Sequence, residues 1–148
     1  MLNYQSPIHK DRHIIIYSEG RHTWVHLKST VGIILEKTNF NVSYVTSSND
    51  DPGLLLEHVQ LTSYYFGNGH FLNYFFQNAS ADILITSSPD LGISKFKKSK
   101  SVKKYIYIPH SICSLHMIYK KSAFDNFDVI CSVGPHHDKE LRILENKN

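Results

Sequence analysis

Apolar positions along the chain come in short continuous runs separated by polar turns, and between the runs they recur at helical spacing. Residues 13–17 (HIIIY) form a β-branched apolar run that ends in Ser18-Glu19-Gly20, the pattern of a buried strand closed by a turn. Beyond it Trp24, Leu27, Val31, Ile34 and Leu35 repeat every three or four positions, which predicts a helix with Thr23 placed to cap its start. Residues 41–46 (NVSYVT) predict a second strand, 47–53 (SSNDDPG) a turn-rich loop, 62–66 (TSYYF) a third strand and 71–76 (FLNYFF) a helix. Residues 82–86 (DILIT) and 105–108 (YIYI) are near-continuous apolar runs, as strands covered on both faces require. A helix over 112–124, a sixth strand over 128–133 (DVICSV) and a last helix from Pro135 complete the series. Strand and helix alternate throughout, so the expected fold is a single α/β domain: a mostly parallel sheet with helices on both faces.

Composition narrows this reading without changing it. A chain of 148 residues with 41% apolar and 20% charged residues fits one ordinary domain with a core, and excludes disorder, collagen-like repeats and a disulfide-dense scaffold. Its two cysteines, Cys113 and Cys131, form no Cys-x-x-Cys pair, which suits a reduced, cytoplasmic compartment. No apolar run approaches the roughly 20 residues needed to cross a bilayer, and the first residues lack the apolar stretch of a signal peptide. Residues 1–11 are expected to be flexible. The net charge of +3 is uneven: between Ile93 and Phe124 stand eight lysines and no acid, while the remainder holds eight basic residues against 13 acids. The stretch from Lys95 to Lys104 suits an anionic membrane surface on the inner face of the cell membrane, or is simply a solvated loop.

In a parallel sheet, ligands bind at the carboxyl ends of the strands, so the loops that follow strands carry the candidate chemistry. Four are polar: Ser18-Glu19-Gly20-Arg21-His22, Ser87-Ser88-Pro89-Asp90, Pro109-His110-Ser111 and Gly134-Pro135-His136-His137. His110 is the sharpest candidate, because it follows a strand directly behind a proline, and an imidazole is the side chain best suited to take a proton near neutral pH. A purely structural role for it is a helix cap. Gly20 permits a tight turn, but SEGRHTW is not a G-x-G-x-x-G fingerprint and supports no nucleotide cofactor. His22 and His26 have a metal-compatible spacing of four without an assignable third ligand, so no metal is expected. The aromatic set Tyr64, Tyr65, Phe66, Phe71, Tyr74, Phe75 and Phe76 is read as core, so nucleic acid is not an expected partner.

Four segments in this order, IIIYSEGRHTWVHL, DILITSSPDLGISKFKKSKSVKKYIYIPHS, LHMIYKKSAFDNFDVICSVGPHH and KELRILE, resemble the N-terminal, acceptor-side half of CDP-glycerol glycerophosphotransferase-like enzymes. The resemblance implies a Rossmann-like domain of a GT-B-type transferase and transfer of glycerol phosphate from CDP-glycerol to a polymer acceptor hydroxyl. It implies His110 as general base, Glu19, Gly20, His22, Asp90 and Ser111 on the acceptor side, and Gly134 and His136 toward phosphate. It makes 135–148 a helix leading to an absent C-terminal domain that would bring the donor, so that the chain alone is expected to be inactive. The alternatives are a non-catalytic binding or assembly module and half of a GT-B sugar transferase.

Overall fold

A computed structural model describes residues 12–93, 96–110 and 122–145. Six strands alternate with helices: β1 (His13–Ser18), α1 (Arg21–Lys37), β2 (Asn41–Thr46), a short 3-10 turn (Pro52–Leu55), β3 (Leu61–Tyr65), α2 (His70–Asn78), β4 (Ala81–Thr86), β5 (Val102–Tyr107), β6 (Val129–Ile130) and α3 (Pro135–Glu145). The strands form one sheet in the order β3-β2-β1-β4-β5-β6. Every pair is parallel. This is the doubly wound Rossmann order, and the α/β expectation holds.

β1 and β4 lie at the centre and are covered on both sides, which is why their sequences are continuous apolar runs. The period of two still decides which side chain meets which helix. Ile14 and Ile16 pack with Leu27 and Val31 of α1 and with Val42, Tyr44 and Ile85. Ile15 and Tyr17 point to the other face, against Leu72, Phe75 and Phe76 of α2 and with Leu84 and Tyr105. Tyr17 meets Phe76 edge to face at 4.9 Å between centroids, an arrangement that suits the quadrupoles of both rings. A third cluster under α3 joins Tyr107, Ala123 and Phe124 with Ile130 and Leu141.

Several boundaries differ from the expectation for identifiable reasons. β5 starts at Val102, earlier than its apolar run, because Val102 pairs with Ala81 and the Lys103 ammonium donates to Asp82 Oδ1 at 2.6 Å. That hydrogen bond, with one from the His13 main-chain N–H to Asp82 Oδ2, holds the Asp82 carboxyl below its usual range. β6 shrinks to two residues, since it lies at the sheet's edge with β5 as its one neighbour. Thr23 is not the first capping residue. Gly20 holds that place, and Thr23 acts from the third helical position, its hydroxyl accepting from the Gly20 N–H at 3.2 Å and donating to the Gly20 carbonyl at 2.8 Å. The helix expected over 112–124 falls mostly outside the described residues, and 122–126 are turn. No described helix is long and apolar enough to cross a membrane.

Candidate functional site

The strand order reverses between β1 and β4, and it is outside the carboxyl ends of the strands at such a switch point that doubly wound sheets bind ligands. Two polar corners flank it. Over β1 and β2, the Asp51 carboxylate, 2% exposed, accepts from the hydroxyls of Ser18 (2.7 Å), Thr46 (2.7 Å) and Tyr44 (2.9 Å) and from the Gly53 N–H (2.9 Å). Burial pushes the Tyr44 phenol further above its ordinary pKa, and its hydroxyl donates to Asp51. Gly20, at φ 145, sits where an added Cβ would lie 2.8 Å from Ser48 Cβ. The backbone conformation and the space at this turn thus both demand glycine, but the close neighbour is the protein's own Ser48.

That filling bears on a dinucleotide. In register with the fingerprint glycines stand Ser18, Gly20 and Thr23, and the first and third carry hydroxyls already bonded to Asp51 and the Gly20 carbonyl. The acid of the second strand's loop, Asp51, is fully engaged, and Asp50 is paired with Arg21 at 3.7 Å. The residues present do not fit a pyrophosphate cradle at the first turn.

The second corner, over β4 and β5, is built differently. The Ser88 N–H donates to Thr86 Oγ1 at 3.0 Å and the Ile108 N–H to the Thr86 carbonyl at 2.9 Å, which carries the sheet pairing up to the turn. His110 follows the buried Pro109, and its Nδ1 lies 2.8 Å from the Ser87 carbonyl. A carbonyl can only accept, so Nδ1 carries the proton and Nε2 is left as the basic nitrogen. His110 is half-buried, and the exposed His26 of α1 places its ring 6.4 Å away between centroids. Beneath this imidazole Ser87 and Ser88 are 0% and 3% exposed, and neither hydroxyl has a hydrogen-bond partner among the described residues. Asp90 Oδ1 is likewise buried without a partner.

The other expected site residues scatter. Glu19, half-buried at the β1 tip, lies 3.8 Å from the ring of the exposed His22. Asp90 sits beyond β4 in the left-handed region at φ 62, its N–H donating to the Ala123 carbonyl. Gly134 and His136 lie at the far edge of the sheet beyond β6, Gly134 receiving the Asp138 N–H and His136 exposed on α3. Ser111 lies outside the described residues. Among the described residues only His110 is brought against another candidate loop. Sequence reasoning placed Ser87 and Ser88 in a candidate loop but assigned them no role, and their burial was not legible. His137, in another of those loops, is 0% exposed on α3 with neither ring nitrogen partnered among the described residues. Among the described residues no three His, Cys, Asp or Glu side chains gather as a metal site.

No family model and no curated protein matches the chain. Two solved structures resemble it, both short-chain dehydrogenases/reductases from Veillonella parvula DSM 2008. The first, in complex with NADP, is 15% identical over 91% of this chain and 62% of its own, with a TM-score of 0.43. The second, an ethylated form, is 16% identical over 92% of this chain and 62% of its own, with a TM-score of 0.42. The chain therefore spans less than two thirds of the length of these two proteins. These matches include no glycerophosphotransferase, and the resemblance to that family is corrected. Where the structure describes them, its quoted segments are strands, turns and helix, a grammar that doubly wound sheets share, so their order traced a fold and not an activity. With it go CDP-glycerol, the polymer acceptor and the teichoic-acid setting. The non-catalytic module and the sugar-transferase half lack support too, as does an anionic membrane surface at Lys95 to Lys104.

Proposed function

We propose that this chain is a small-molecule-binding domain whose ligand occupies the crevice over the tips of β1, β4 and β5, with His110 exchanging a proton with it through Nε2. The hydrogen bond between His110 Nδ1 and the Ser87 carbonyl carries this reading, because it orients the ring and leaves Nε2 as the basic nitrogen. The strand order puts the crevice at that place. A reducing, cytoplasmic setting belongs to the same reading and is supported by the free, exposed Cys131.

Long-range nitrogen–proton NMR of the imidazoles tests it. His110 is expected in the Nδ1–H form, and a panel of soluble metabolites is expected to contain at least one class that moves its resonances. A ring protonated at Nε2, or a His110 signal indifferent to the whole panel, overturns the reading.

The strand order also favours a second ligand class, a dinucleotide such as the NADP bound in the neighbouring reductase. The filled first turn weighs against it. Saturable binding of NADP, abolished in Gly20→Val, would establish the dinucleotide and retire the smaller ligand.

A further inference from the structure

We propose that Ser87, Ser88 and Asp90 together receive a pair of neighbouring hydroxyl groups, so that the ligand is a polyol or sugar and not a phosphate. This rests on the crevice reading above and names the chemistry that it admits. The three groups stand within four consecutive residues directly after the central strand β4. Their hydroxyl oxygens and Asp90 Oδ1 are shut from solvent and lack protein partners among the described residues. Buried polar atoms are almost always paired, so a row of unpaired ones at a sheet's carboxyl edge marks the outline of something that pairs them.

The donors and acceptors specify what that is. A serine hydroxyl both donates and accepts, whereas a carboxylate oxygen only accepts. A ligand hydroxyl can donate to Asp90 and accept from a serine at once, and two adjacent hydroxyls satisfy the set. A phosphate suits the set less well, since it is anionic throughout and its charge repels that of the carboxylate. Among the described residues no lysine or arginine pairs with Asp90 to relieve that repulsion. Lys98 and Lys103, in the lysine-rich stretch, are engaged by the Asn126 carbonyl and by Asp82. The Asp90 backbone is held in place: it adopts a left-handed conformation, φ 62, which aspartate tolerates better than most residues, and two hydrogen bonds fix it there, its N–H to the Ala123 carbonyl and the Ile93 N–H to its own carbonyl.

Amide-resolved NMR of the whole chain, titrated with methyl β-D-ribofuranoside, methyl α-D-glucopyranoside and inorganic phosphate, tests the proposal. At least one glycoside is expected to shift the amides of Ser87, Ser88 and Asp90 saturably, and its dideoxy analogue to bind at least about tenfold more weakly, because the lost bonds include one to a charged group. Asp90→Asn, which tolerates the left-handed backbone, is expected to weaken binding by the same factor while keeping the dispersion of the folded spectrum. Equal binding of the dideoxy analogue, or an unaltered affinity in Asp90→Asn, overturns the diol assignment. If neither glycoside binds but phosphate moves the His110 resonances, the diol assignment fails and the crevice reading stands. If no probe moves either loop, the diol assignment fails, and the crevice reading is judged by the metabolite panel above.

Discussion

The corner over β1 and β2 and the corner over β4 and β5 use the same materials, a short run of serine, threonine and aspartate after a buried strand, to opposite ends. In the first, one carboxylate gathers donors from Ser18, Tyr44, Thr46 and Gly53, and no hydroxyl of the group is left over. In the second, Ser87, Ser88 and Asp90 hold buried oxygens with nothing to bond among the described residues, and an anchored imidazole stands beside them. A satisfied polar network rigidifies the fold, while an unsatisfied one costs stability and persists where it has another use. In this molecule the first corner stabilises, and the second holds the groups that the proposed ligand would meet.

That contrast can be broken most decisively at Asp51. Asp51→Ala removes the shared acceptor of four buried donors and orphans those of Tyr44, Thr46 and Gly53, so it is expected to cost about 3–5 kcal/mol in denaturant-induced unfolding. A loss below about 1 kcal/mol would show that the network contributes little. Gly20→Ala comes next. It places a side chain at φ 145 and within 2.8 Å of Ser48 Cβ, so a loss of about 1–3 kcal/mol is expected, with no change in any ligand response of His110.

The opposite corner predicts the opposite sign. Ser88→Ala removes a buried hydroxyl that has no partner, and thermal unfolding should show stability unchanged or raised by up to about 1 kcal/mol. A clear loss would mean that the hydroxyl is paired after all and would erase the difference between the corners.

The smallest effect lies at neither corner but at the sheet's amino end, where it serves as a control. Burial lowers the His13 imidazole from 6.5, so the unfolded chain takes a proton more readily than the native one. Stability should therefore be complete above about pH 6.5 and decline as the pH falls toward the native value. His13→Gln is expected to flatten that slope, measured as unfolding free energy against pH. A slope unchanged in the variant would assign it to other groups.

Much of this was legible in the order of residues. HIIIY announced a doubly covered strand, and the structure divides its isoleucines between two helices as the two-residue period requires. His110 was legible as a residue behind a strand, because the position needs only a strand end and a proline. The role of Asp51 was not, for it looked like one acid of a turn and became a hub through Ser18, 33 positions away. Nor was the inversion between neighbours at the start of α3, where His136 is exposed and His137 wholly buried, since only packing decides which side of a helix end is covered. The apparent family likeness failed for a related reason. Strand, turn and helix signals are local, and proteins of unrelated activity repeat them.

By itself the chain of residues determined that strands and helices alternate and that the central strands are covered on both faces, because the spacing of apolar side chains along a backbone is a local property. Only the folded molecule decided which of the polar groups at the strand tips are spent on one another and which remain to meet something else. Hydrogen bonds among them join segments far apart along the chain, and their partners exist only after the sheet has set its register.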